Sequence, residues 1–254
     1  MIFLAAGTQD GRELAGYLLE RGQEVTASVV SRYGEQLLER YRDKGITVND
    51  RPLDADALTK YLTEHRIGVL VDATHPYAAN ASENAMAACH RAGVPYLRYE
   101  RANAPVDYDN VHRVASYEEA AKKAASLGKH IFLTTGSRNL RVFAESPHLR
   151  GCALAIRVLP SAEVLASCEE LGFAPKQIIA MQGPFSQALN EELFRKYGAD
   201  VIVTKNGGTV GGADTKVAAA KAMGLPVVLI ERPAVAYDHV ATTYEEVLAF
   251  VQSI

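Results

Sequence analysis

IFLAAG at residues 2–7 and IFLTTG at residues 131–136 are two copies of one pattern, a short apolar run that ends at a glycine. Such a run is typical of a buried strand that leads into a turn. Two further pairs of segments keep nearly the same spacing: VLVD at 69–72 with VIVT at 201–204, and GVP at 93–95 with GLP at 224–226. The offsets of 129, 132 and 131 residues hold all three pairs in register. We therefore infer an internal duplication with two homologous α/β halves.

The segments between these strands have the periodicity of helices. Leu14, Tyr17 and Leu18 fall on one face of a helix, and Ala79–Ala92 is an alanine-rich helix that stops at Gly93. Strands that alternate with helical crossovers predict two doubly wound parallel sheets. We interpret residues 101–113 as a connector. The predicted domains are therefore 1–115 and 116–254, with ligands in a cleft lined by the loops that follow the strands.

Composition narrows the class of protein. The chain has 254 residues, of which 48% are hydrophobic and 22% charged, and its net charge of −3 argues against a nucleic-acid partner. Three cysteines form no Cys-x-x-Cys pair, and the N-terminus carries no leader-like or membrane-spanning run. We expect a cytoplasmic monomer with no membrane partner. The histidines lack the spacing of metal ligands, so no metal site is expected.

Two loops of the first half are suited to a dinucleotide. Gly7, Thr8 and Gln9 lie between a strand and a helix, where backbone N–H groups favour a phosphate, although a plain tight turn is the alternative. The segment Ser31-Arg32-Tyr33 follows the second strand and has no acid until Glu35. A cation here accommodates a 2′-phosphate, so these residues favour NADP over NAD; a solvated turn is the alternative.

A third loop, DATHPYA at residues 72–78, directly follows a buried strand. We expect Thr74 and His75 near the reactive end of a cofactor, and His75 or Tyr77 as a proton donor. A purely structural histidine is the alternative.

In the second half, the loops after the strands offer hydroxyls, amides and cations, which suit carboxylates. The candidate binding residues are Thr135, Gly136, Ser137, Arg138, Gln182, Gly183, Lys205, Asn206, Gly207 and Lys216. The glycines at 207, 208, 211 and 212 predict a loop that lies against a ligand, with a flexible surface loop as the alternative. Lys205 is also a candidate proton donor. The segment does not end in Gly-Lys-Ser/Thr, so it is not a P-loop.

Taken together, these motifs resemble the precorrin-6A reductase family of cobalamin biosynthesis, which includes enzymes acting on the cobalt form. DATHPYA at 72–78 and MQGPF at 181–185 are the most specific strings. The others are GT at 7–8, SRYG at 31–34, YLRYER at 96–101, TTGS at 134–137, RVLP at 157–160 and TK at 204–205. The sequence departs from the family pattern at Asn206-Gly207-Gly208 and at Ala5-Ala6.

The resemblance implies reduction of one ring double bond of precorrin-6A, or of its cobalt form, by hydride from NADPH, with NADH as the alternative. It also implies two Rossmann-like domains with exchanged edge strands, which we assign to the strands at Tyr96 and Val227. The tetrapyrrole carries several carboxylates, so cations and hydrogen-bond donors are expected around it.

Two other functions stay open. One is a two-domain α/β transferase acting on a nucleotide sugar, which predicts no nicotinamide binding. The other is a non-catalytic two-lobed protein that binds a small anion.

Overall fold

The computed structural model describes residues 1–29, 32–101, 106–207 and 212–254, with Arg32 described by its backbone alone. Contacts divide the chain into two units, Met1–Ala102 with Pro233–Ile254, and Asn103–Arg232. The strands of the described residues, numbered along the chain, are β1 (Ile2–Ala5), β2 (Val25–Ser28), β3 (Thr47–Asn49), β4 (Val69–Asp72), β5 (Tyr96–Tyr99), β6 (Val111–Val114), β7 (His130–Leu133), β8 (Ala153–Val158), β9 (Ile178–Ala180), β10 (Val201–Lys205), β11 (Val227–Ile230) and β12 (Val240–Ala241).

Helices connect these strands. They are α1 (Gln9–Leu19), α2 (Arg32–Leu38), α3 (Ala55–Glu64), α4 (Ala79–Ala92), α5 (Tyr117–Leu127), α6 (Leu140–Ala144), α7 (Ala162–Glu170), α8 (Gln187–Lys196), α9 (Ala213–Ala222) and α10 (Tyr244–Gln252). Short 3-10 turns lie at Glu39–Lys44, Pro147–Leu149 and Pro175–Gln177. In the described part of the chain, no helix is long and apolar enough to cross a membrane.

The first sheet has the order β12-β5-β4-β1-β2-β3, and the second has the order β6-β11-β10-β7-β8-β9. Every neighbouring pair is parallel. The two orders are the same except that β6 and β12 have changed places. The predicted pair of doubly wound parallel sheets with exchanged edge strands is confirmed.

The identity of the exchanged strands was predicted wrongly. Tyr96–Tyr99 and Val227–Ile230 each pair within their own half, next to β4 and β10. The exchanged strands are β6, which pairs with β11, and β12, which pairs with β5. Both are short, and β12 spans two residues, so neither has a recognisable apolar run.

The same exchange corrects the domain boundary. The connector predicted at residues 101–113 contains most of β6, which belongs to the second unit, so the first unit does not extend to residue 115. The last segment, Pro233–Ile254, returns to the first unit, so the predicted domain 116–254 is too long at its C-terminus.

Alternation along the central strands builds the first core on both faces of its sheet. Leu4 and Val71 pack on one face with residues of α1 and α10, whereas Phe3 and Leu70 pack on the other face with residues of α3 and α4. In the second unit, one such cluster joins its sheet to α8 and α9. Helices cover these strands, so the polar loops at the strand ends remain for ligands.

Val247→Ala tests the return of the C-terminus to the first unit. Val247 is fully buried in the cluster that contains Leu4 and Val71, so truncation should lower the free energy of unfolding by about 2 kcal/mol. We expect faster amide exchange in β1 and β5 and unchanged exchange in β10. Ile254→Ala, at an exposed residue, is the control. Faster exchange confined to β10 and its neighbours would contradict the observed division.

Candidate functional site

The first helix begins against the end of β4. Thr8 is the N-cap of α1, and its hydroxyl accepts a hydrogen bond from the Gly11 N–H (3.0 Å) while donating to the carbonyl of Ala73 (2.9 Å). Gly11 is required here because a Cβ at this position would lie 2.9 Å from the Cα of Ala6. The start of α1 therefore lies close to the carboxyl ends of β1 and β4. Gly7, Thr8 and Gln9 occupy the position at which such folds bind phosphate.

A buried ion pair, not predicted as part of the site, joins β4 to β5. Arg98 Nη1 donates to Asp72 Oδ1 (3.0 Å), and both side chains are about 1% exposed. The hydroxyls of Ser82 (2.6 Å) and Tyr96 (2.7 Å) donate to the other carboxylate oxygen. Burial alone would raise the pKa of Asp72, but Arg98 and the hydrogen bonds together lower it, so the carboxylate stays charged.

This ion pair also holds the loop that carries the predicted reactive residues. The Thr74 N–H donates to Asp72 Oδ1 (2.9 Å), and the Thr74 hydroxyl accepts from Arg98 (3.1 Å). Further along, the Tyr77 N–H donates to His75 Nδ1 (3.2 Å). A neutral His75 accepting this bond carries its proton on Nε2. The geometry thus orients Thr74 and His75 at the end of β4.

Next to this loop is a small recess whose walls come from the ends of β1, β4 and β5. Its lining includes Thr8, Thr74, Pro76 and Arg98. Arg101 forms an ion pair with the largely buried Asp10 in the first turn of α1. The positive side chain offsets a carboxylate that would otherwise disfavour an anion at this helix start.

The loop after β2 is only partly described. Ser31 lies outside the described residues, and the side chain of Arg32 does as well. Tyr33 is 54% exposed in the first turn of α2. Arg12, on α1, interacts with Tyr33 and Arg40. Burial and the positive charge of Arg40 lower the pKa of Arg12, whereas Tyr33 raises it. A cation from α1 therefore lies near the residues predicted to meet a 2′-phosphate.

In the second unit, predicted cations act on one another. Burial and the nearby Arg138 lower the pKa of Lys205, the last residue of β10, to about 8. Lys216 lies in the first turn of α9. Burial, together with the positive charges of Arg157 and Lys205, lowers its pKa to about 7, whereas Asp214 acts to raise it. Arg138, Lys205 and Lys216, three of the candidate carboxylate-binding residues, therefore lie near one another. A group of cations with lowered pKa values is typical of a site that binds an anion.

Arg157, on β8, was not predicted as a site residue. Its side chain is 5% exposed, and its guanidinium lies 4.0 Å from the centroid of the Phe185 ring. Its Nη1 donates to Asn190 Oδ1 (2.8 Å). An arginine in the apolar segment ALAIRV of residues 153–158 was the signal available in the sequence.

The other predicted residues of this unit lie in loops at the same ends of the strands. Thr135 is 5% exposed, and its hydroxyl has no hydrogen-bond partner among the described residues. Gly136 follows with φ +76°, a conformation that favours glycine. The remaining ones follow β7, β9 and β10: Ser137, Gln182, Gly183, Asn206 and Gly207. Of these, Asn206 is 2% exposed, and its carbonyl accepts from Arg232 Nε (3.1 Å). Residues 208–211 of the glycine-rich loop lie outside the described part.

The two units therefore offer different chemistry at equivalent strand ends. The first provides a helix start, hydroxyls and an oriented histidine, and the second provides cations and donors. In the residues that the structure describes, no group of three or more His, Cys, Asp or Glu side chains is placed to hold a metal ion.

Comparison with known proteins places this architecture in a family. The family model described as "Precorrin-6x reductase CbiJ/CobK" matches residues 1–252. A cobalt-precorrin-6A reductase of Priestia megaterium is 43% identical over 249 residues, covering 98% of this chain and 96% of that protein. A precorrin-6A reductase of Rhodococcus erythropolis is 33% identical over 238 residues, covering 91% of this chain and 89% of that protein.

A solved structure of "CobK precorrin-6A reductase" matches with a TM-score of 0.77 and 27% sequence identity, and the match covers 99% of this chain and 96% of that one. The family model spans nearly the whole chain, and the relatives are aligned over almost their full lengths. This chain belongs to the precorrin-6x reductase family.

Proposed function

We propose that this protein reduces a ring double bond of precorrin-6A, or of its cobalt form, with hydride from a nicotinamide cofactor. Membership of the reductase family over residues 1–252 is the observation that carries the proposal. The grouped cations of the second unit support a substrate with several carboxylates. The three cysteines, which form no Cys-x-x-Cys pair, favour a reducing compartment, and we propose a cytoplasmic enzyme that acts as a monomer.

The first unit fits a dinucleotide. The start of α1 follows β1 closely, as the short distance between Gly11 and Ala6 requires, and the first-turn N–H groups of a helix favour a pyrophosphate. Gly7, Thr8 and Gln9 would hold it there, and Thr74 and His75 would lie toward the nicotinamide end. When bound, the nicotinamide supplies the hydride.

Within the first unit, the residues after β2 favour NADPH over NADH. Ser31, Arg32 and Tyr33 include no acid that would hold a ribose 2′-hydroxyl, and Arg12, which interacts with Tyr33, adds positive charge there. A 2′-phosphate would therefore meet cations and hydroxyl groups.

In the second unit, carboxylates of the tetrapyrrole would bind to three cations, Arg138, Lys205 and Lys216. Hydrogen-bond donors would come from Thr135, Ser137, Gln182 and Asn206. The backbone would approach the ligand closely at three glycines, Gly136, Gly183 and Gly207. The buried hydroxyl of Thr135, which no described residue satisfies, supports a ligand at this loop. The protein contributes mainly orientation and exclusion of water, which can be worth roughly 7–11 kcal/mol in well-aligned reactions.

The carbon next to the one that receives hydride must take a proton. We propose His75, Tyr77 and Lys205 as candidate donors. His75 is held with its proton on Nε2 when neutral, and Lys205 has a pKa of about 8, so it is mostly protonated at neutral pH. Single substitutions that lower kcat while sparing substrate binding would identify the donor.

Anaerobic mixing tests the function. Purified protein is combined with precorrin-6A and with its cobalt form, each with NADPH and with NADH, while the nicotinamide and tetrapyrrole absorbances are followed together. Coupled loss of reduced nicotinamide and a shifted ring spectrum are expected. Tight tetrapyrrole binding without turnover in all four combinations would favour a non-catalytic anion-binding protein.

The lysines should make tetrapyrrole binding depend on pH. The pKa of Lys216 is about 7 and that of Lys205 about 8, so both are charged at pH 6 and largely neutral at pH 9. The carboxylates stay charged over this range, so the Kd for cobalt-precorrin-6A without cofactor should rise about tenfold or more.

Lys216→Arg keeps a charge at all these pH values and should flatten the rise. Lys196→Arg, on the exposed face of α8, is the matched control, and the Kd of this variant should rise with pH as it does in the native protein. A Kd that falls as pH rises would contradict the assignment of both lysines.

Arg32→Glu tests cofactor choice. A carboxylate would repel the 2′-phosphate, so the KM for NADPH should rise at least tenfold while that for NADH changes little. Arg42→Glu, an exposed arginine of the 3-10 turn Glu39–Lys44, controls for net charge. Equal weakening of both cofactors would remove Arg32 from the 2′-phosphate site.

A further inference from the structure

Arg157 lies on a buried face of the second sheet, where side chains are usually apolar. It lies one residue before the end of β8 and is 5% exposed. By alternation it shares a sheet face with Ala155, which packs in the cluster that contains Phe194 of α8 and Val217 of α9. A guanidinium on this face is costly to bury unless it is paired.

Neighbouring side chains fix the guanidinium in one orientation. Asn190 Nδ2 donates to the carbonyl of Ser186 (3.0 Å), which turns Asn190 Oδ1 toward Arg157 Nη1 (2.8 Å). The Phe185 ring covers the guanidinium at 4.0 Å, and Phe132 lies 5.9 Å away. Phe185 immediately precedes Ser186, the N-cap of α8, so the start of this helix holds both partners in place.

The second terminal nitrogen of the guanidinium is unsatisfied. Nη2 is buried and has no hydrogen-bond partner among the described residues. No carboxylate of the described ranges forms an ion pair with Arg157. Its charged neighbour is Lys216, and burial lowers the pKa of Arg157 to about 10. The protein thus keeps a fixed positive group, whose Nη2 makes no hydrogen bond within the described residues, beside a second cation.

We propose that Arg157 is a binding residue for a carboxylate side chain of the tetrapyrrole, that its Nη2 donates to that carboxylate, and that Asn190 and Phe185 position it. The assignment rests on the proposed function and deepens it. Arg157 differs from Lys205 and Lys216 because its guanidinium stays largely protonated up to pH 9, so it supplies a part of the affinity that changes little between pH 6 and pH 9.

Arg157→Gln tests the proposal. The Kd for cobalt-precorrin-6A, measured without cofactor, should rise about tenfold or more, and the KM for it should rise in parallel while kcat changes less than about twofold. Arg157→Lys should restore part of the affinity, because it keeps the charge but loses the planar donors. Arg195→Gln, on the exposed surface of α8, removes the same charge and should leave Kd unchanged.

Phe185→Leu provides a second test that leaves Arg157 in place, because Phe185 is a half-buried loop residue. Loss of the ring should raise Kd about threefold to tenfold. If Arg157→Gln does not fold, an unchanged Kd in Phe185→Leu overturns the proposal.

The two levels of the proposal separate in the same experiment. If the native protein reduces the tetrapyrrole and folded Arg157→Gln binds it as tightly as the native protein does, the assignment of Arg157 is wrong and the proposed function stands. If the native protein neither binds nor reduces the tetrapyrrole, the proposed function fails and the assignment fails with it.

Discussion

The ion pair between Asp72 and Arg98 organises the first unit, because it ties β4, β5, α4 and the loop after β4 to one buried carboxylate. Four hydrogen-bonding groups meet there: the guanidinium of Arg98, the hydroxyls of Ser82 and Tyr96, and the N–H of Thr74. Removing one member of a buried pair typically costs about 3–5 kcal/mol, since the other charge is left uncompensated. The position of Thr74 depends on this arrangement, whereas the His75 ring accepts a hydrogen bond from the Tyr77 N–H within the loop itself.

The second unit uses the same register differently. Asp72 is paired across strands with Arg98, and the equivalent pair between β10 and β11 is Thr204 with Leu229. No ion pair can form there. At the strand ends of the second unit lie the cations Arg138, Arg157, Lys205 and Lys216. Arg138 lowers the pKa of Lys205, and Arg157 and Lys205 lower that of Lys216, in each case in addition to burial. The two halves thus share one strand order, whereas the buried ion pair of the first has no counterpart at the equivalent strand pair of the second.

Much of this architecture could be predicted from apolar runs. The long helices α4 and α5 and the central strands have clear periodicity, and the loops after β1, β4, β7 and β10 follow from them. β6 and β12 could not be found in this way, because VHRV and VA gain their strand geometry from the partner strands β11 and β5. Tertiary pairing overrides local preference at such short strands.

The candidate site shows the same division. Lys205 and Lys216 were predicted because cations near the strand ends suit carboxylates, and the two lie close enough for Lys205 to lower the pKa of Lys216. Arg98 and Arg157 are single polar residues inside apolar strands, and only packing reveals what they contact. Asp72 was read as the first residue of a polar loop, whereas it is fully buried and binds back into the sheet. Sequence patterns locate the strand ends, but they do not show which polar side chains turn inward.

The exchange of β6 and β12 has a consequence for synthesis on the ribosome. β5 receives its outer neighbour only when residues 240–241 are made, and α10 supplies Val247 to the first core later still. The N-terminal unit therefore emerges with an open sheet edge and an uncovered apolar surface, while the second unit, whose strands run from residue 111 to residue 230, can be completed earlier. An unpaired edge of this kind is prone to association with other chains. The unit made first is thus the last to be finished, and a chain released early would carry a complete second sheet beside an open first one.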